Sequence, residues 1–232
     1  MKKIYYITAV FATLFLVGCG DGIDLPGVNV ETDLNKIPLP DNNVNLEQVE
    51  LKPSTEPMLH EGLHTEEDFQ RIRDKKAAGE EPWVSAYQLL VESQFSQKTA
   101  DTYPTEWIKR GISGDENYMN AARGATIVYQ QALRWKIEQD DEYAAKAVEN
   151  LNKWVQTCLG VTGNTNLSLA AGLYGYEFAI AGELLRDYGG WDRADFAAFQ
   201  NWLLKVFYPA NDDFLKRHHD TNALHYWANW CL

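Results

Sequence analysis

Residues 167–188 read LSLAAGLYGYEFAIAGELLRDY, and this stretch decides the fold. Its spacing predicts a helix in which alanine and glycine recur on several sides, and Gly189-Gly190 ends that helix. Small side chains let neighbouring helices approach closely. We therefore expect an inner helix that is surrounded by others.

The segments on both sides of this helix also carry apolar residues at helical spacing. The first of them starts with a capping box formed by Thr65 and Asp68. We predict helices from Thr65 to Gly79, Trp83 to Ser93, Glu116 to Glu138, Glu142 to Leu159, Leu167 to Tyr188 and Asp192 to Phe207. We predict loops or turns over residues 99–112, 160–166 and 210–220, and a last helix that begins near Thr221.

Long helices joined by short turns predict antiparallel helical hairpins. Consecutive hairpins with one inner and one outer helix build an α/α toroid or a solenoid, and a plain helical bundle is the alternative. We therefore expect an all-α chain in which residues 58–232 form part of an (α/α) toroid. The aromatic and apolar end of the chain, residues 224–232, carries no C-cap or polar tail. This end favours an incomplete toroid, the N-terminal fragment of a longer protein.

The run LFLVGC, residues 14–19, closes an apolar stretch that follows two lysines. A basic start, an apolar middle and a small residue before the cut are typical of a secretory signal peptide. The ending resembles a bacterial lipobox, which implies that residues 1–18 are removed and that Cys19 is lipidated. We expect a cell-envelope lipoprotein, anchored at the outer membrane on its periplasmic or surface face. A single transmembrane helix is the alternative, but the stretch is shorter than the ~20 residues that a span needs.

Composition restricts the possible partners of the chain. Residues 19–57 are rich in proline, asparagine and aspartate, which predicts a flexible tether. The formal net charge is −12, so we expect no nucleic-acid partner, and an anionic substrate needs a local basic cleft.

We expect Cys158 and Cys231 to be buried free thiols. No Cys or His spacing fits a metal site, and we expect no cofactor.

Residues 216–226, KRHHDTNALHY, hold three of the five histidines of the chain. Histidine and tyrosine can act as general acids and bases when their pKa values are shifted toward the operating pH, and asparagine and arginine can donate hydrogen bonds to an anion. The density of these residue types makes the segment the strongest candidate for chemistry. A solvated surface loop is the alternative.

Three stretches together resemble a known family. They are residues 60–69 (HEGLHTEEDF), residues 117–135 with Asn117-Tyr118-Met119, Arg123 and YQQALRW, and residues 225–230 (HYWANW). They are similar to the alginate-lyase-like polysaccharide lyases with an α/α toroid, most closely polysaccharide lyase family 38. The resemblance covers residues 60–232, about the first half of a typical member.

The resemblance implies β-elimination of a uronate polymer such as alginate or glucuronan, without a metal. It favours Tyr226 as general acid and candidate base, His225 as base or charge neutraliser, and Asn222 as the ligand of the substrate carboxylate. Arg217 or His218 would support that carboxylate. On a helix Asn222 and Tyr226 share a face while His225 lies about 100° aside of Tyr226, so His218 or His219 is an alternative partner.

Further residues are candidates for substrate binding. Asn117, Tyr118 and Arg123 would line the cleft, Tyr174 and the nearby Tyr176 would stack on sugar rings, and Trp227 would form a cleft wall. Core packing is the alternative for the aromatic residues, and a surface charge is the alternative for Arg123. Glu177 and Glu183 lie on an otherwise apolar helix and need partners such as Arg123 or Arg186. We expect both glutamates to be structural. We expect the same of His60 and His64.

Two other functions remain open at this point. A non-catalytic glycan-binding lipoprotein would use the same aromatic residues without an acid–base pair. A glycoside hydrolase on the same toroid needs two carboxylates that flank the scissile bond. Asp212, Asp213 and Asp220 are available for that role, but nothing singles out a pair.

Overall fold

The computed structural model describes residues 63–218, with side chains as far as Lys216. The elements in chain order are α1 (Glu66–Ala77), α2 (Trp83–Glu92), a 3₁₀ turn (Gln94–Ser96), β1 (Trp107–Arg110), α3 (Tyr118–Glu138), α4 (Asp141–Thr157), β2 (Gly160–Gly163), α5 (Asn166–Leu185), α6 (Arg193–Val206) and α7 (Tyr208–His218). The predicted signal peptide, the tether, Cys19 and the predicted last helix lie outside the described residues. In the described part of the chain, no helix is long and apolar enough to cross a bilayer.

The helix boundaries follow local sequence signals. Thr65 and Asp68 form the predicted capping box at the start of α1. Gln139 adopts a left-handed conformation (φ 57°) that ends α3, and Asp140 then caps α4 through the backbone N–H of Glu142. Asp192 caps α6 in the same way. The predominantly α-helical class is confirmed.

The four long helices form two layers: α3 and α5, which we call the inner layer, and α4 and α6, which we call the outer layer. Arg134, late in α3, donates to Tyr143, early in α4, so these two helices are antiparallel. Tyr118 and Trp135 at the two ends of α3 contact Tyr174 and Tyr188 in the same order, so α3 and α5 are parallel. Asn152 bonds Asp195 and Trp202 donates to the Cys158 carbonyl, so α4 and α6 are parallel as well. This alternation is what the predicted hairpins require; ring closure into a toroid stays a prediction.

An aromatic core lies between the layers and explains the small residues of α5. The rings of Trp154, Phe178, Trp202 and Phe207 contact one another in sequence, with centroids 5.0–6.1 Å apart. A Cβ atom at Gly182 would lie 2.2 Å from the ring of Phe199. The prediction that α5 is closely approached by other helices is therefore confirmed.

Three predicted loops are wrong in part. Residues 99–112 and 160–166 contain β1 and β2, which pair in parallel, and residues 210–218 belong to α7. Strands of four residues are too short to show a period, and each exists only because the other lies beside it. Pro209 lies in the first turn of α7, where its missing N–H costs no hydrogen bond.

Buried amides fix the chain segment that leads into β1. Gln131 donates to the carbonyls of Gln97 and Ala100 at 2.9 and 3.1 Å. Asn150 donates to Ala100 and to Gln131, and it accepts from the Thr102 N–H. Because both amides are fully buried, losing one partner would leave an unsatisfied group and cost about 1–3 kcal/mol.

Cys158 is buried and free, as predicted for this residue. Burial raises the pKa of its thiol to about 11, so the thiol is protonated and unreactive at neutral pH. Cys231 lies outside the described residues.

Candidate functional site

The two short strands place their carboxyl ends at one edge of the molecule. The register pairs Trp107 with Gly160 and Arg110 with Gly163. Gly163 has φ +148°, and a Cβ atom there would lie 1.7 Å from the Arg110 carbonyl oxygen. Only glycine fits this approach. Because α3 and α5 begin shortly after β1 and β2, both inner helices start at the edge where Arg110 lies.

Asn117 holds the other edge of β1. Its side-chain oxygen accepts from the Lys109 N–H at 2.7 Å, and its amide nitrogen donates to the Trp107 carbonyl at 2.9 Å. Its own N–H bonds the Lys109 carbonyl. The residue thus acts as a third strand for β1, and both ends of its amide are used by the protein. Substrate binding by Asn117 stays a prediction, beside this structural role.

Tyr118 and Tyr174 meet at this edge, although 56 residues separate them in the chain. Their rings are nearly parallel, at 5° with centroids 6.5 Å apart. The guanidinium of Arg110 lies 4.4 Å from the centre of the Tyr118 ring and donates to the Tyr174 hydroxyl at 3.0 Å. We call Arg110, Tyr118 and Tyr174 the Arg110 cluster. Sequence reasoning missed Arg110, because its strand was predicted as a loop.

Arg110 makes no ion pair with an acid among the described residues. The side chain is half-buried, and no carboxylate among the described residues lies within ion-pair distance of it. The neighbouring Lys109 pairs with Asp115 at 2.7 Å. Glu116 accepts from the Gly111 N–H. The remaining guanidinium N–H groups of Arg110 therefore face no described acceptor.

The starts of α3 and α5 add to the positive character of this edge. Neither helix has an acidic residue in its first turn, and neither N-cap side chain accepts from an N–H group of its own helix. The neutral side chain of Asn164 accepts from the Asn166 N–H at the start of α5. Unneutralised helix N-termini attract anions. In a chain of net charge −12, an arginine without an ion pair beside two uncapped helix starts suits an acidic ligand.

Arg123 is not part of the Arg110 cluster. It follows Tyr118 by five residues on α3, which turns its side chain about 140° away from that of Tyr118. Its side chain is exposed and makes no ion pair with a described residue. Glu177 bonds Thr126 rather than Arg123, whereas Glu183 pairs with Arg186 as expected.

A second polar cluster lies halfway along the inner layer. His64 Nε2 and Tyr129 Oη are 2.6 Å apart, and the imidazole also contacts the ring of Phe69. Tyr176 and Glu177 of α5 lie close enough to Tyr129 for their charges to raise the pKa of its hydroxyl. We call His64, Tyr129, Tyr176 and Glu177 the His64 cluster.

Burial favours the neutral forms of His64, Tyr129 and Glu177. It lowers the pKa of His64 against the opposing effect of Asp68, and it raises the pKa of Tyr129. Burial also raises the pKa of Glu177 to about 7, although the bond from Thr126 acts in the opposite direction. His64 precedes α1 and Tyr129 lies on α3, so their contact joins these two parts of the chain. This contact agrees with the predicted structural role of His64.

The remaining predicted residues are near or beyond the end of the described chain. Arg217 and His218 are the last residues of α7, and their side chains lie outside the described part. Four further residues lie wholly outside the described part of the chain, so their roles stay predictions: Asn222, His225, Tyr226 and Trp227. Asp212, considered for a hydrolase, pairs with Lys216 at 2.7 Å. Between residues 63 and 218, no three His, Cys, Asp or Glu side chains are grouped as metal ligands would be.

Comparison with known proteins identifies the family. Residues 72–232 match the family model described as alginate lyase, and this match covers well over half of the chain. The chain therefore belongs to the alginate lyase family, and at family level its function is that of a polysaccharide lyase. No curated protein and no solved structure matches the chain.

Proposed function

We propose that the protein is a lyase that cleaves uronic-acid-containing polysaccharide, of the alginate or glucuronan type, by β-elimination. The observation that carries the proposal is the meeting of Tyr118 and Tyr174 around Arg110 at one edge of the inner layer. Both residues were predicted to bind sugar, and they come from different helices. Aromatic faces and a local positive charge together suit a polymer of acidic sugars.

The reaction needs three functions at one sugar. The carboxylate on C5 must be neutralised so that the C5 proton becomes more acidic, a base must remove that proton, and an acid must protonate the leaving oxygen on C4. The C5–H electron pair then forms the C4=C5 double bond as the C4–O bond breaks. We assign the acid, and a candidate base role, to Tyr226, the base or neutralising role to His225, and carboxylate binding to Asn222. Arg217 or His218 supports the carboxylate.

The proposal includes the architecture and the cellular location. The alternating inner and outer helices support an (α/α) toroid, in which α7 contacts α5 and leads into the proposed catalytic segment. We further propose that Cys19 carries a lipid anchor in the cell envelope. Labelling with a radioactive fatty acid tests this part, and uptake that survives the Cys19→Ala substitution would contradict it.

The ultraviolet absorbance of the unsaturated product tests the reaction. The full chain is incubated with alginate and, separately, with glucuronan. The expected result is absorbing product, reduced about 10³-fold by Tyr226→Phe and unchanged by Tyr103→Phe, since Tyr103 is exposed on the surface. New reducing ends without absorbance would indicate a hydrolase. Binding of the polymer without either signal would indicate a glycan-binding lipoprotein.

A further inference from the structure

We propose that Arg110 distinguishes acidic from neutral sugars by binding the carboxylate of a uronate residue. This inference rests on the proposed function, because it names the group of the substrate that the Arg110 cluster recognises. Arg110 lies outside every residue set that the sequence alone suggested for the site.

The guanidinium of Arg110 is held in place before any ligand arrives. Its central carbon lies over the Tyr118 ring, 4.4 Å from the ring centre, and one N–H group donates to the Tyr174 hydroxyl at 3.0 Å. The strand that carries the residue is paired with β2 on one side and held by Asn117 on the other. A fixed guanidinium loses little rotamer freedom when it binds, so more of the interaction energy appears as affinity.

The guanidinium of Arg110, which makes no ion pair with a described residue, determines which ligand fits. Structural arginines in partly buried positions ordinarily pair with an acid, as Arg134 does with Glu138 in this molecule. Arg110 has no such partner among the described residues, while Lys109 beside it is neutralised by Asp115. A planar carboxylate can accept two parallel N–H bonds from a guanidinium, and half-burial strengthens both bonds.

The surroundings make a sugar acid a better ligand than a free anion. The carboxylate of a uronate is attached to the pyranose ring, so a bound carboxylate brings the sugar ring next to the Arg110 cluster. Tyr118 is partly exposed there and offers an apolar ring edge. The uncapped starts of α3 and α5 lie at the same edge and favour negative charge.

Calorimetric titration of the full chain tests this role with two probes. One is tetramannuronate, and the other is mannotetraose, the uncharged sugar with the same ring and linkage. Arg110→Gln is expected to weaken tetramannuronate binding about 30-fold, because charge-assisted hydrogen bonds are lost, and to leave mannotetraose binding unchanged. Arg193→Gln is the matched control: it removes an exposed arginine at the start of α6, outside the proposed site, and is expected to change neither affinity more than about twofold.

A conservative variant keeps the test decisive if Arg110→Gln does not fold. Arg110→Lys retains the charge without the planar fork and is expected to weaken tetramannuronate binding about tenfold. Melting temperatures are recorded for each variant. Equal loss for both probes, no loss in either variant, or a wild-type protein that binds both sugars equally would overturn the proposal.

Product formation is measured separately from binding. Selective binding that disappears in Arg110→Gln, in a protein that forms no unsaturated product, would support the carboxylate role and contradict the lyase. Unsaturated product that forms at the same rate and KM in wild type and Arg110→Gln would support the lyase and overturn the role of Arg110.

Discussion

The inner and outer helices begin in different ways. Asp140 and Asp192 cap the outer helices α4 and α6, each with acidic residues in the first turn. The inner helices α3 and α5 have neither feature. Because inner and outer helices are antiparallel, the acidic caps lie at one end of the layers and the uncapped starts lie at the other, beside Arg110. The end that stabilises the helices and the end that suits an anion are thus separated.

The largest effect on this difference between the two ends should come from disturbing β1 and β2, which bring Arg110 to the uncapped helix starts. In Gly163→Ala a methyl group would collide with the Arg110 carbonyl, at a position with φ +148°. We expect a loss of about 3 kcal/mol in the free energy of unfolding, measured by urea denaturation, and loss of uronate binding. Gly79→Ala is the control: its φ is +71° but nothing lies within 4 Å, so it should cost about 1 kcal/mol and leave binding intact. Equal costs for the two variants would contradict the role of the strand pair.

The His64 cluster extends the comparison to the middle of the inner layer, where neutral forms are favoured. The pKa of Glu177 is raised from 4.5 to about 7, so its contribution to stability is present below pH 4.5 and is lost as the pH rises to about 7. The pKa of His64 is lowered from 6.5, so its contribution is present above pH 6.5 and is lost as the pH falls. The two effects oppose each other between pH 4.5 and 6.5.

Single substitutions should separate the pH dependence of stability caused by Glu177 from that caused by His64. In His64→Gln the stability should still fall with pH because of Glu177, by about 3 kcal/mol between pH 4.5 and 8. Glu177→Gln should leave a profile that rises with pH up to about 6.5. Urea denaturation at several pH values measures both, and identical pH profiles in wild type and Glu177→Gln would show that Glu177 titrates normally.

Removing a cap from an outer helix should affect stability alone. Asp192 accepts from the N–H groups of Ala194 and Asp195, and Asp192→Ala should cost about 1 kcal/mol. Asp192→Asn should restore most of this loss, because asparagine also caps well. Tetramannuronate affinity should be the same in all three proteins. A change in affinity would mean that the two ends are not independent.

The smallest effect should come from adding an acid to an uncapped start. Met119 is exposed in the first turn of α3, and Met119→Glu should raise stability by about 0.5 kcal/mol through the helix dipole. The same charge should weaken tetramannuronate binding a few-fold, because it lies at the edge that carries Arg110. Met119→Gln is the neutral control. Binding that is unaffected by the acid would place the ligand elsewhere.

Much of the fold could be predicted from short-range signals. The Thr65–Asp68 capping box, the breaks at Asp140-Asp141 and Gly189-Gly190, and the small residues of α5 placed the long helices within a few residues of their observed ends. The site was harder to predict. Tyr118 and Tyr174 were chosen for their chemistry, whereas Arg110 was missed, although the glycine that follows it and the glycine of VTG, residues 161–163, both signal the ends of extended segments.

The sequence by itself determined the helices, because capping, helix breaking and periodicity act over three or four neighbouring residues. It also determined the acidic charge, which makes an arginine without an ion pair significant. Only the tertiary structure decided that Trp107–Arg110 is a strand, since its partner lies about fifty residues later in the chain. Only the parallel packing of α3 and α5 brought Tyr118 and Tyr174 together with Arg110. Hydrogen bonds between strands and stacking between rings depend on distances in space that no local pattern records.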